Sequence, residues 1–356
     1  MPAKIPTTII TGFLGAGKTT LIRHMLQNAG GKRIALIINE FGDLGVDGEV
    51  LKGCGIEGCA DDDVMELSNG CICCTVAEDF VPTLEKLLGR ETPPDHIVIE
   101  TSGLALPQPL VRAFAWPEIR SRVTVDGVVT LVDSVALHEG RFAHNEAAVD
   151  AQRAADDGLD HETPLSELFD DQLACADMVV LNKTDLLDAA ALDALETRLK
   201  AELRSGVRMI RAQHGAISPA LLLGLGIGAE DDLDARAEHH HHHHDDDEDD
   251  AHAHDHHHDH GHDEFETFQV DTGALGDVEA YVARLKSTIA AHDILRLKGF
   301  AQVGEKPMRL VIQAVGPRIE HYFDRPLTAA EKGRTRLVVI GETGLKQGDI
   351  ATALQA

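Results

Sequence analysis

The residues able to do chemistry fall into a few tight groups. Gly12-Phe-Leu-Gly15-Ala16-Gly17-Lys18-Thr19 fits the pattern G-x-x-x-x-G-K-[ST]. It follows an apolar stretch and opens a helical one, the context in which this pattern cradles phosphates. Its glycines let the backbone wrap the phosphates with N–H donors, and the new helix adds its positive dipole end. In such a loop Lys18 reaches the β- and γ-phosphates and the Thr19 hydroxyl ligates Mg²⁺. Gly12, Gly15, Ala16, Gly17 and Thr20 complete the phosphate-binding set. Asn182-Lys183-Thr184-Asp185 follows the apolar run Met178–Leu181. A carboxylate at Asp185 accepts two hydrogen bonds from guanine N1–H and N2–H₂; adenine cannot supply that pair and would leave the carboxylate unpaired. Asn182 and Asp185 are therefore the base-binding candidates, with the Lys183 stem packed over the nucleotide. Glu100-Thr-Ser-Gly103 ends the apolar run His96–Glu100. Glu100 would hold a Mg²⁺-bound water, and Gly103 would bring an N–H to the γ-phosphate. The other reading of this tetrapeptide is a helix cap by Thr101 or Ser102. Lys18, Thr19 and Glu100 are the catalytic candidates.

A second group is sulfur. Cys71-Ile-Cys73-Cys74 places three thiols in four residues. Adjacent side chains point in different directions, so this cannot be a core feature, but a curled loop can converge all three on one ion. Thiolates suit Zn²⁺, Cu(I) and Co(II) in tetrahedral geometry, and three protein ligands leave one position open. A redox thiol pair is the alternative. Cys54 and Cys59 stand nearby in a Gly-rich stretch as weaker candidates, whereas Cys175 lies in an apolar helical pattern and reads as core.

The formal charge of the 356 residues is −28. Half of it, −14, lies in residues 230–264, which also hold 13 of the 21 histidines. An acidic balance argues against nucleic acid as a partner. No apolar run approaches the 18 or so residues that span a bilayer. With five of six cysteines clustered within 21 residues, the chain reads as cytosolic, with metal or redox chemistry and no disulfide framework. The His/Asp tract reads either as a weak, unselective metal buffer or as a solubilising linker.

Around these groups the first 225 or so residues alternate strand and helix patterns, which predicts a P-loop α/β fold: a mainly parallel sheet with helices on both faces. Ligands of such sheets sit at the carboxyl ends of the strands. Residues 140–171 are polar and weakly periodic and read as an insertion. The expected division is a nucleotide-binding domain over 1–228, a disordered His/Asp-rich linker over 229–264, and a small α+β domain over 265–356. The last has strands at Phe265–Val270, Ile294–Val303, Met308–Val315 and Arg336–Ile340 and a helix at Val278–Ala291.

Taken together, G-F-L-G-A-G-K-T-T, Ile38-Asn-Glu-Phe-Gly42, C-I-C-C, E-T-S-G and N-K-T-D resemble the CobW family of metal-handling P-loop GTPases. Asn39 to Gly48 and Lys52 to Glu57 resemble its cobalamin-biosynthesis branch. The resemblance implies GTP and Mg²⁺ as cofactors and a cargo metal on Cys71, Cys73 and Cys74, with Co²⁺ first and Zn²⁺ the alternative. It also implies that Cys74 and Thr75 lie against the nucleotide and that Asn39–Gly42 is a switch. Glu40 is then a further metal ligand or Mg²⁺-side carboxylate, or else a solvated loop acid. The implied cycle is a slow GTPase switch: GTP orders both loops and completes the thiolate site, and hydrolysis releases metal to a cobalt chelatase or another acceptor protein. A metal-storage protein with a structural P-loop is the reading from another class. The sequence departs from the family pattern in having no assignable fifth motif, the loop that closes over the base; Arg211-Ala-Gln-His214, after the last strand, is the candidate.

Overall fold

The computed structural model describes residues 4–39, 64–67, 80–155, 164–231, 233, 236 and 265–355. The chain divides into two compact units, Met1–Arg236 and Ala237–Ala356.

The first unit is built on seven parallel strands in the order β3-β2-β4-β1-β5-β6-β7. They are β1 (Ile5–Thr11), β2 (Ile34–Asn39), β3 (Val64–Leu67), β4 (His96–Glu100), β5 (Val123–Asp133), β6 (Met178–Asn182) and β7 (Arg208–Arg211). All five residues of β4 and of β6 are buried, as unbroken apolar runs predict for strands covered on both faces. Helix α1 (Lys18–Gln27) starts at the end of the phosphate loop and buries Leu21, Ile22, Met25 and Leu26. Among the described residues no helix is long and apolar enough to cross a membrane.

The structure adds three features to the sequence reading. Strand β3 is too short and too close to the Gly-rich stretch to read from periodicity. Residues 140–171 are more than a polar insertion: helices Glu146–Ala155 and Leu165–Cys175 start within them. Val149, Leu168, Phe169 and Leu173 from these helices join the core cluster that contains Phe13 of the phosphate loop. Finally, the packed unit runs past residue 228 to Arg236. Glu230 accepts hydrogen bonds from the Thr124 hydroxyl (2.6 Å) and Val125 N–H (2.8 Å). Arg236, 2% exposed, donates to the Cys175 carbonyl and to Asp177 (2.7 Å). Buried polar groups that find partners can hold a polar segment which hydrophobicity alone would leave loose.

The second unit is an antiparallel sheet in the order β11-β10-β9-β12-β8, with helices Val278–Ala291 and Gln347–Gln355 contributing to its apolar core. Its strands are β8 (Phe265–Gly273), β9 (Arg296–Gln302), β10 (Met308–Val315), β11 (Arg318–Pro326) and β12 (Arg334–Glu342). Strand β11 escapes the sequence reading because it is an edge strand full of charge, the usual device against edge-to-edge pairing. It packs Ile319 against the core.

At its end Glu331 accepts from Arg325 (2.7 and 2.8 Å), from the N–H and hydroxyl of Thr328 (both 2.8 Å) and from Arg309 (3.2 Å). These donors, Arg325 first, hold its carboxyl far below the ordinary value of 4.5. A depressed carboxylate stabilises the fold above its unfolded value and loses that contribution as pH falls. The second unit is therefore expected to lose stability as pH drops below 4.5, and Glu331→Gln to flatten that dependence. Urea unfolding from pH 7 to pH 3, followed by near-UV signals of the second unit, measures both.

Candidate nucleotide site

The phosphate loop bridges β1 and α1 at the carboxyl edge of the sheet. Lys18 is buried, and its ammonium donates to the carbonyls of Gly12 (2.8 Å) and Phe13 (3.4 Å). The loop thus holds its own lysine at the position from which it would meet phosphate. Phe13 anchors the loop from beneath, in an aromatic group with Phe142 (5.9 Å between centroids) and Phe169 (6.2 Å). Thr19 donates its hydroxyl proton to Glu100 at 3.3 Å. Parallel register puts Glu100 beside Ile10 on one side and Ile38 on the other, so the end of β4 meets the start of the loop. Thr101 is not a helix cap: its hydroxyl bonds Thr11 (3.0 Å), and the next helix, Pro107–Ala113, begins after Leu106.

Two glycines are dictated by close approach. A Cβ on Gly103 would lie 2.7 Å from the Leu14 nitrogen, so the turn after β4 packs directly on the phosphate loop. Its carbonyl is held by the Gln172 amide at 3.1 Å. Gly17 has φ 103°, and a Cβ there would lie 2.3 Å from the Asn182 side-chain nitrogen.

The Asn-Lys-x-Asp segment is anchored by its first residue. Asn182, 2% exposed, donates to the Ala16 carbonyl (2.8 Å) and accepts from Gly215 N–H (3.1 Å). Both ends of its amide serve protein backbone and tie these loops together. Asp185 is partly exposed in a 3₁₀ turn, Thr184–Leu186, with His214 at 3.9 Å. Lys183 pairs with Asp133 at the end of β5. The segment after β7 meets this turn: Thr184 donates its hydroxyl to the Ala212 carbonyl at 3.0 Å. Arg211 itself is engaged by Glu196 and Asp193 of helix Ala189–Glu202.

Gly12, Gly15, Ala16, Gly17, Lys18, Thr19, Thr20, Glu100, Gly103, Asn182, Lys183 and Asp185 thus share one edge of the sheet. Cys71, Cys73, Cys74, Thr75 and Glu40, like Cys54 and Cys59, lie outside the described residues. Among the described residues no group of three or more His, Cys, Asp or Glu side chains is placed to hold a metal. Sequence reasoning missed Gly215, Gln172 and Asp133. Only Asp133 carries a signal, a lone carboxylate ending a long apolar run.

The nucleotide-binding domain model of the CobW/HypB/UreG family matches residues 6–211. The chain belongs to this family. The model of the cobalamin synthesis protein cobW C-terminal domain matches residues 270–356. A Sinorhizobium protein named zinc chaperone CobW is 59% identical over 353 residues, 99% of this chain and 97% of that one. A Pseudomonas aeruginosa protein of the same name is 52% identical over 359 residues, 99% and 91% of the two chains. The Escherichia coli zinc chaperone YjiA is 30% identical over 342 residues, 95% and 94% of the two. The chain is thus a metallochaperone of the CobW type that binds and hydrolyses GTP. Substituting Gly17→Ala pushes a methyl into Asn182, and a shift of about 1 Å in a phosphate cradle costs about 100-fold. Fluorescent-GDP titration is expected to register that loss, with the circular dichroism spectrum unchanged.

Proposed function

We propose that the protein is a GTP-switched zinc chaperone whose cargo binds Cys71, Cys73 and Cys74. The observation that carries the switch is the shared edge of the sheet. Parallel register sets Leu67, the last residue of β3, beside Asn39, the last of β2. One residue earlier, Ile38 is level with Glu100. The chain therefore leaves β2 toward Glu40 and β3 toward Cys71 from the edge that carries Lys18 and Thr19. Both strands end at the edge where a γ-phosphate would sit, the arrangement that nucleotide-dependent ordering of a switch calls for. Metal and nucleotide affinities are then coupled reciprocally.

The zinc assignment is supported by the names of the relatives and by ligand chemistry. Thiolate sites take Zn²⁺ more tightly than Co²⁺ in the usual order of divalent affinities. The cobalt reading, in which a corrin-synthesis chelatase is the acceptor, is favoured by the resemblance of Asn39–Gly48 and Lys52–Glu57 to the cobalamin-biosynthesis branch and by the name of the C-terminal domain model. With zinc as cargo, the acceptor is a zinc-requiring protein.

Mg²⁺ fits the pair Thr19 and Glu100, a hydroxyl and a carboxylate 3.3 Å apart, both hard oxygen donors. Bound there, it would neutralise charge on the β- and γ-phosphates. Lys18 would turn from the Gly12 and Phe13 carbonyls to the phosphates, and the loop N–H groups would hold the transferred oxygens in place. No described side chain is placed as an evident general base, so the proposed turnover is slow.

The decisive measurement is a competitive Zn²⁺/Co²⁺ titration with GTP, with GDP and without nucleotide. Tight binding of Zn²⁺ over Co²⁺, strongest with GTP and lost when all three cysteines become Ser, is expected. Equal affinity in all three nucleotide states sinks the switch, and preference for Co²⁺ restores the cobalt reading. For the base, Asp185→Asn is expected to lower GTP affinity about 100-fold or more, since each lost charge-assisted bond costs about 1.5–3 kcal/mol. It should raise affinity for xanthosine triphosphate, whose 2-oxo group accepts from an amide.

A further inference from the structure

Strands β5 and β6 run side by side with Asp133 opposite Asn182. The last residue of β5 is therefore level with the start of the Asn-Lys-x-Asp segment. Asp133 is 2% exposed, and its two oxygens have separate partners. Oδ1 accepts from the N–H groups of Val135 and Ala136, both at 3.1 Å, and caps the helix Ser134–His138. Oδ2 pairs with the Lys183 ammonium at 2.5 Å.

Lys183 is held at both ends. Its backbone has φ 65°, a left-handed conformation uncommon for a residue with a Cβ. The buried amide of Asn182 on one side and the Thr184 hydroxyl bond on the other fix that conformation. Its ammonium is fixed by Asp133. Between these ends the four-carbon stem forms an apolar strip. The side chain is 29% exposed, and that of Asp185, two residues on, is 27% exposed. A strip of this kind beside a base-recognising carboxylate matches the face of a purine ring. A free lysine stem loses rotamer entropy when a ligand immobilises it; one held in advance does not.

We propose that Asp133 is a positioning residue for guanine: by fixing the Lys183 ammonium, it holds the lysine stem in place for the ring before nucleotide arrives. The proposal rests on the reading of Asp185 as the guanine partner.

Asp133→Asn separates the two duties of the carboxylate. An amide oxygen caps a helix as well as a carboxylate does. The amide NH₂ then faces the ammonium, donor against donor, and the lysine is released. In the full-length protein, GTP and GDP are expected to dissociate about tenfold faster, with KM for GTP raised and kcat at saturation kept. Inorganic tripolyphosphate, which has no base, should compete for the site as in the parent. In a Lys183→Ala background the same substitution should add nothing further. Unchanged guanine-nucleotide dissociation overturns the proposal, and so does equal weakening of tripolyphosphate, which would mean a damaged fold. Asp185→Asn is measured in parallel. If it leaves GTP affinity intact, the base reading itself fails; if it lowers affinity while Asp133→Asn does not, only the role of Asp133 falls.

Discussion

One buried amide holds the nucleotide edge together. Asn182 stands at the end of β6, donates to the phosphate loop after β1 and accepts from the segment after β7. Three connections that are far apart in the chain are thereby fixed relative to one another. Each partner is a backbone group in a place with little water, where an unpaired group costs about 1–3 kcal/mol. A carboxamide donates to the carbonyl and accepts from the N–H at once, which a carboxylate or an ammonium cannot do. Gly17 is the counterpart of this choice, since the amide occupies the space that a Cβ would need. The fixed loop in turn sets where Lys18, Thr19 and Glu100 stand.

The aromatic group beneath the loop makes a second link of the same kind. Phe13 belongs to the loop, while Phe142 and Phe169 come from the stretch that looks like an insertion. Burial of an aromatic side chain contributes about 1.5–3 kcal/mol. The region between β5 and β6 is thus tied to the phosphate loop as well as to its own helices. Gln172, on the same helix as Phe169, reaches the Gly103 carbonyl and joins the turn after β4 to the same support.

Much of this was legible in the sequence, for physical reasons. Continuous apolar runs such as His96–Glu100 and Met178–Leu181 can only be buried strands when turn signals bound them, and they are. The phosphate loop was legible because each of its residue types serves one chemical need at one spacing. The backbone contacts of Asn182 were not legible, because its partners Ala16 and Gly215 are far from it in sequence. Helix Leu165–Cys175 was obscured by its acidic outer face, and β11 by edge-strand charge. Glu230 and Arg236 were hidden in a stretch of extreme composition. Their burial depends on partners more than 50 residues away in sequence, Thr124 and Asp177, and no local pattern reports that.

Arg236 also fixes a point of departure. Its partner Asp177 immediately precedes β6, at the amino edge of the sheet, whereas Asn182 and the phosphate loop lie at the carboxyl edge. Five residues of strand separate the two levels, about 16 Å at the usual rise per residue. A fully stretched chain advances at most about 3.6 Å per residue, so His239, three residues after Arg236, reaches no more than about 11 Å from it. The buried ion pair thus fixes Arg236 at the amino edge, opposite the edge that carries the phosphate loop.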